Sequence, residues 1–404
     1  MRKTYVAAIA SFVGLAVVLS GCSSAGSPSS SSKSNDPIVI GSSVSLTGPA
    51  SFVGQGFQVG ATLAMDEINA NGGINGRNLE IKFADDEGTP DGGVAASRQL
   101  VLQDKVLAVL GGGTSTSTVA SIPFFRENGI VNYVSLSSDP RVLEQFNSNI
   151  FVGSTISQAD GVKVYAKYIQ DVLHAKTVAT IVCDQGHCIS GAPLLEAELK
   201  ELNISVVQKT SFNSGDTDFT GQIQKIKDSK PDAVFIYGLA ADGGRIIPQL
   251  RRAGVSVPLV SDTSLADLSV VEVAGASAVG FTAFWLGGPQ FLTDNTGEMG
   301  KWLASLKKYQ PETPNGTPNL YSLMAYSDTY VLAEALRAAG PTLNSSTIIK
   351  SLETNIQGFV GGQGPNWEFA AAVGVPRTFT TKDHQGNRFV SAITVKDGKF
   401  VAVE

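Results

Sequence analysis

The stretch Gly111-Gly112-Gly113-Thr114-Ser115-Thr116-Ser117-Thr118 offers chemistry at short range. The apolar run Val106 to Leu110 precedes it and reads as a buried parallel strand. Three glycines let the backbone turn sharply. The Ser/Thr run then caps a helix that continues through Val119 and Phe125. Strand, glycine turn, hydroxyl cap and helix together present free N–H groups and a positive dipole end to an anion. The expected ligand group is a carboxylate or another small anion; an ordinary βα turn with a good cap would read the same way.

Other reactive residues fall into weaker patterns. Gly54, Gly56 and Gly60 resemble a dinucleotide fingerprint, but the third glycine comes one residue late and the loop before them is too long. Asp85-Asp86-Glu87 closes a strand; the adjacent Thr89-Pro90-Asp91-Gly92 reads as a turn and cap, so these acids are expected to be solvated rather than metal ligands. Cys183, His187 and Cys188 lie within six residues. An even cysteine pair in an exported chain favours a disulfide. A zinc site or a Cys–His nucleophile is the alternative, though only three ligands are close together and no orienting group is evident. His187 reads as a loop residue, and His174 and His384 as surface residues. There is no Gly-x-Ser-x-Gly, no His-Glu-x-x-His and no P-loop lysine, so an enzyme is not expected.

These residues need a scaffold. Strand and helix patterns alternate twice along the chain. The first series runs through Ile38–Gly41, Leu79–Phe83, Val106–Leu110 and Val131–Val134, with helices between. The second runs through Thr177–Val182, Ile204–Val207, Ala233–Ile236, Val257–Val260 and Val279–Trp285, with helices Ser157–Val172, Leu194–Leu202, Phe219–Ile226 and Gly244–Ala253. Each series suffices for one doubly wound α/β sheet. Helices Glu298–Tyr309 and Leu320–Ala339 follow. A hairpin turning at Lys396-Asp397-Gly398-Lys399 ends the chain. At 404 residues, 43% hydrophobic and 16% charged, the chain can bury two cores. The net charge of −6 and the lack of a Lys/Arg cluster argue against a nucleic-acid partner.

The first residues read as an address. Arg2 and Lys3 precede an apolar stretch, Val6 to Leu19, too short for a stable span. Leu19-Ser20-Gly21-Cys22 resembles a bacterial lipobox. That resemblance implies a signal peptide over 1–21, removed on export, and a lipid on Cys22. Ser23 to Asp36 is rich in Ser, Gly and Pro and reads as a flexible tether over 22–36.

From Pro37 onward the chain resembles the substrate-binding proteins of branched-chain amino-acid ABC transporters, the type I periplasmic binding proteins. The resemblance rests on Ser45-Leu46-Thr47-Gly48-Pro49, on Asp66 to Arg77, on Asp85-Asp86 and on the Gly-rich turn. It continues in Asp232-Ala233-Val234-Phe235 and Gln249 to Gly254. It implies two Rossmann-like α/β lobes joined by three crossovers. Lobe one would be 37–155 with 286–358, and lobe two 156–285 with 359–404.

It also implies the site. Ser115, with the N–H groups after it, Thr116 included, would hold the ligand carboxylate. Leu136 through its carbonyl, and Ser138 with Ser137, would hold the ammonium from lobe one. Asp262 would pair with the ammonium from lobe two. Phe52, Val53, Thr114, His187 and Leu239 would line the rest, with the aromatic positions of leucine-type members altered. Cys188 stands where such members carry a Tyr, and Asp262 where Glu is common. The implied ligand is a small amino acid, branched-chain or related. Its partner would be an ABC permease, the protein would be a lipid-anchored monomer on the outer face of the membrane, and no cofactor or metal is implied. A receptor of the same fold for an aromatic carboxylate, urea or amide, or a sensor without a transporter, is the alternative.

Overall fold

A computed structural model describes residues 36–144, 149–286, 297–309, 320–356 and 378–403. The signal peptide, Cys22, most of the tether and the expected lobe boundary at 358/359 lie outside the described residues.

The first sheet holds β1 (Ile38–Val44), β2 (Leu79–Asp85), β3 (Ala108–Gly111), β4 (Val131–Val134) and β5 (Ile150–Val152). All are parallel, in the order β2-β1-β3-β4-β5. The second sheet holds β6 (Thr177–Val182), β7 (Ser205–Ser211), β8 (Ala233–Tyr237), β9 (Leu259–Ser261), β10 (Thr282–Trp285), β11 (Ser391–Lys396) and β12 (Lys399–Ala402). Its order is β12-β11-β10-β9-β8-β6-β7. Strands β6 to β10 thus repeat the doubly wound order of the first sheet, and the antiparallel hairpin β11–β12 extends the edge. Its turn takes Asp397 and Gly398 at positive φ, as a two-residue hairpin requires.

Order reverses between β1 and β3 in one sheet and between β6 and β8 in the other. A crevice opens beyond the carboxyl ends of the strands at such a switch point. Helices α1 (Ser51–Ala70), α2 (Pro90–Arg98), α3 (Ser115–Asn128) and α4 (Arg141–Glu144) belong to the first series. Helices α5 (Gln158–Asp171), α6 (Gly186–Glu201), α7 (Thr220–Ser229), α8 (Ala240–Arg252) and α9 (Leu268–Ala274) belong to the second. The remaining helices are α10 (Gly297–Leu306), α11 (Leu320–Ala338) and α12 (Ser345–Thr354). Helix α11 returns to the first lobe and packs along α1. The two backbones touch: a Cβ on Gly60 would sit 1.9 Å from the Ser322 carbonyl oxygen. Glu67 accepts from the hydroxyls of Tyr326 and Tyr330 at 2.6 and 2.9 Å and fixes their register. Among the described residues, no helix is long and apolar enough to cross a membrane.

Four expectations need correction. His187, read as a solvent-exposed loop residue, is buried in the first turn of α6 because that helix starts early. Helix α6 begins at Gly186, eight residues before the expected Leu194. Gly191 and Pro193 suggest a break, but packing against α5 and the tight fit at Gly191 override propensity. His384 is buried, not a surface residue. Its ring stacks on Phe151 at 3.8 Å, with Nδ1 against the Ile150 carbonyl at 2.8 Å and Nε2 3.2 Å from Glu353. Asp86 is also buried rather than solvated. It accepts from Ser45 Oγ at 2.6 Å, Gly88 N at 2.9 Å, Ser117 Oγ at 2.9 Å and Gly113 N at 3.1 Å.

The chain passes between the lobes at Gly153–Ser157 and again near Gln385–Phe389. The two passages are bonded side by side. Asn387 Nδ2 donates to the Ser154 carbonyl at 2.6 Å and Gln385 Nε2 to that of Thr155 at 2.8 Å. Asp328 on α11 accepts from Ser154 N at 3.2 Å.

Removing the Asp86 carboxylate strands several buried donors. Asp86→Ala should cost about 2–4 kcal/mol in denaturant unfolding, and a loss under about 1 kcal/mol would deny it this role. Asp85 behaves differently. Burial pushes its carboxyl up, but donation from Thr47 Oγ1 and the N–H groups of Glu87, Leu46 and Thr47 outweighs this and holds it below its ordinary value. Asp232 is likewise held low, by the Lys176 N–H and then the Thr177 hydroxyl. Folded values below unfolded ones mean stability present above about pH 4 and lost as pH falls through the folded values. Asp85→Asn with Asp232→Asn should flatten the acid limb of a stability–pH curve.

Candidate functional site

The β3–α3 turn is built as the sequence suggests. Thr114 caps α3: its Oγ1 accepts from Ser117 N, and Ser117 Oγ accepts from Thr114 N, both at 3.2 Å. Ser117 N is therefore used, while the N–H groups of Ser115 and Thr116 have no acceptor within the helix. Asp86 holds the turn from behind. Ser137 Oγ donates to Ser115 Oγ at 3.0 Å and joins the β4 end to the same point.

The second lobe faces this turn at close range. Gly186 N donates to Thr116 Oγ1 at 3.0 Å, so the starts of α3 and α6 meet across the crevice. A Cβ on Gly186 would lie 3.1 Å from Thr116 N. An apolar cluster closes the other side: Ala50, Val53 and Tyr321 meet Leu239, with Phe52 and Leu136 packed against them. Phe52 sits edge-on to Tyr321 at 5.7 Å.

Between these contacts lies a cavity of about 40 Å³, space for a few waters. Thr114, Ser115, Leu136, Ser138, Val53, His187 and Leu239 all line it. Thr155, Thr263, Ser264, Tyr321 and Met324 also line it, and sequence reasoning missed them. Tyr321 and Met324 lie on α11, distant in the chain, and no local pattern marks them.

Asp262 stands behind the lining and is fully buried. Its Oδ1 accepts from Ser264 N at 3.0 Å. Its Oδ2 accepts from Gln158 Nε2 at 2.8 Å and Ser264 Oγ at 3.3 Å. Burial pushes its carboxyl above the ordinary range, opposed by the His187 charge and by these bonds. The Tyr321 phenol is pushed far up by burial and by the charges of Asp267, Asp262 and Asp242. Tyr237 and Tyr165 are also raised by burial and then by Asp262. The second lobe therefore brings negative potential to the crevice. The first lobe brings the positive end of α3.

Cys183 and Cys188 are joined by a disulfide across a Cα separation of 5.7 Å. Cys183 directly follows β6 and Cys188 sits in the first turn of α6, so the bond ties the strand end to the helix that carries His187. His187 Nε2 lies 3.3 Å from Cys188 Sγ. With both sulfurs in the disulfide, no thiolate pair is available to a metal.

The periplasmic binding protein family profile matches residues 37–399. The chain belongs to that family. This periplasmic binding protein is 30% identical to an amino acid binding protein of Pseudomonas aeruginosa, over 75% of its own length and 79% of the relative's. It is 28% identical to Leu/Ile/Val-binding protein homolog 3 of Brucella melitensis, over 78% and 83% of the two chains. Among solved structures it resembles the branched-chain amino acid transporter substrate binding protein LivJ from Streptococcus pneumoniae, in complex with isoleucine. The TM-score is 0.75 at 25% identity, covering 90% of this chain and 97% of that one. A solute binding protein from Rhodopseudomonas palustris, in complex with 3,4-dihydroxy benzoic acid, shares the fold at TM-score 0.76 and 18% identity, covering 92% of this chain and 96% of that one.

Two outcomes follow for this periplasmic binding protein. Gly186→Val should hold the lobes apart, seen as a larger radius of gyration in small-angle scattering; an unchanged profile in all conditions would refute the contact. The Cys183→Ser, Cys188→Ser pair should lose about 2 kcal/mol, because the disulfide closes a short loop. The unreduced, denatured wild type should show no reactivity at either position in a thiol count.

Proposed function

We propose that this protein is the extracytoplasmic solute-binding receptor of an ABC importer, capturing a small apolar amino acid by lobe closure and delivering it to a membrane permease. The supporting observation is the opposite charge at the two ends of the crevice. Helix α3 opens onto it with the Ser115 and Thr116 N–H groups, and the buried Asp262 stands on the other side. A zwitterion is the small solute that answers both. Between the ends, Val53, Leu136, Leu239 and Met324 offer an apolar wall to a short side chain. The names of the relatives point the same way.

In this reading the ligand binds lobe one first. Ser115 and the α3 N-terminus take the carboxylate, and the Leu136 carbonyl with Ser138 takes the ammonium. Closure brings up Asp262, excludes water and strengthens each charge-assisted bond. Lobe one comprises 37–155 with 286–358 and lobe two 156–285 with 359–404. Binding is reversible and involves no chemical conversion, cofactor or metal. Export through the 1–21 signal and lipid on Cys22 would keep the receptor, a monomer, near its permease.

A thermal-shift screen against the twenty amino acids, benzoate, urea and simple amides tests the reading. An amino acid at about a hundred times its dissociation constant should add about 2.7 kcal/mol of stability. Asp262→Ala should abolish that shift while the protein stays folded. Because burial raises the Asp262 carboxyl, affinity should fall on acidification from a higher pH than an ordinary carboxylate would give. Shifts only with solutes lacking an ammonium would overturn the amino-acid assignment.

A further inference from the structure

Gln158 begins α5, directly after the first passage between the lobes, and is almost fully buried. Its backbone N–H donates to the Ser138 carbonyl at 2.8 Å. Its side-chain Nε2 donates to Asp262 Oδ2 at 2.8 Å and to Ser138 Oγ at 3.3 Å. Its Oε1 accepts from the Tyr237 hydroxyl at 3.4 Å. The amide has one tenable orientation: turned over, Oε1 would face the Asp262 carboxylate, an acceptor against an acceptor. Gly191 makes the room. A Cβ there would lie 2.8 Å from Gln158 Oε1 and 3.0 Å from the Tyr237 hydroxyl.

We propose that Gln158 is the positioning residue of the capture site, a single buried amide that aims the Asp262 carboxylate and ties it to Ser138 on the facing lobe. This rests on the assignment of Asp262 and Ser138 to the ligand's ammonium. Gln158 touches no cavity space itself and acts through those two groups. A ligand ammonium arriving at Ser138 meets a carboxylate already held by the same amide. The amide's two donors and its acceptor are all used within the protein, so the carboxylate is held in place before any ligand arrives.

The other groups facing Asp262 are His187 on α6, Ser264 after β9, Tyr165 on α5, Tyr237 on β8 and Tyr321 on α11. None of them links the two lobes through a side chain on both Ser138 and Asp262. Gln158→Leu removes the donor at similar volume, and Gln158→Glu replaces it with a second carboxyl.

The test is carboxyl NMR of the full chain with carbon-13 aspartate, Asp262 being assigned by its absence in Asp262→Asn. In Gln158→Leu the Asp262 carboxyl should titrate about one pH unit higher than in wild type, because a hydrogen bond to the charged form is gone. In Gln158→Glu the two carboxyls should titrate in two separated steps. L-leucine affinity at pH 7, measured by calorimetry, should fall about tenfold in Gln158→Leu. An unchanged Asp262 titration in folded Gln158→Leu, or in Gln158→Glu should the leucine variant not fold, overturns the proposal. If wild type and Asp262→Asn respond alike to L-leucine, the ligand assignment fails, while the titration still decides the role of Gln158.

Discussion

One buried carboxylate ties together the loops at the carboxyl end of the first sheet. Asp86 accepts hydrogen bonds from Ser45, Gly88, Gly113 and Ser117, which lie on the loops after β1, β2 and β3 and on the first turn of α3. Those loops are where a doubly wound sheet places its crevice. A charge with no water around it needs donors, and the loops supply them. In return they are fixed around one point. The α3 N-terminus keeps two N–H groups without an acceptor in the helix, its third being committed to Thr114 and its glycine turn anchored from below by Asp86.

The second constraint is that two lobes must meet without fusing. Among the described residues they meet at Gly186 against Thr116, at the Val53–Leu239–Tyr321 cluster on the opposite side, through Leu320 N on Asp267 Oδ2, and through Gln158 on Ser138. The passages at 153–157 and 385–389 are bonded to each other through Gln385 and Asn387, and Ser154 N is also held by Asp328 on α11.

The interior of the crevice is polarised by these same choices. The helix end lies in one lobe and Asp262 in the other, so separation of the lobes separates the charges. The disulfide at Cys183–Cys188 sets the first turn of α6, and with it His187, beside this region.

The sequence by itself determined the two α/β series, the capped turn at Thr114–Ser117, the hairpin at Asp397-Gly398 and the family. These are local: periodicity, capping chemistry and turn residues act over a few positions and leave a readable trace. It also named Ser115, Leu136, Ser138, His187 and Leu239, which do meet at one cavity. Tertiary structure alone decided the rest. Asp86 and His384 read as surface polar residues because burial depends on what packs over them. Helix α6 starts early because packing against α5 offsets the weak propensity of Gly191 and Pro193. Tyr321 and Thr155 reach the cavity from distant segments, and no spacing along the chain records which donors and acceptors the two lobes bring together.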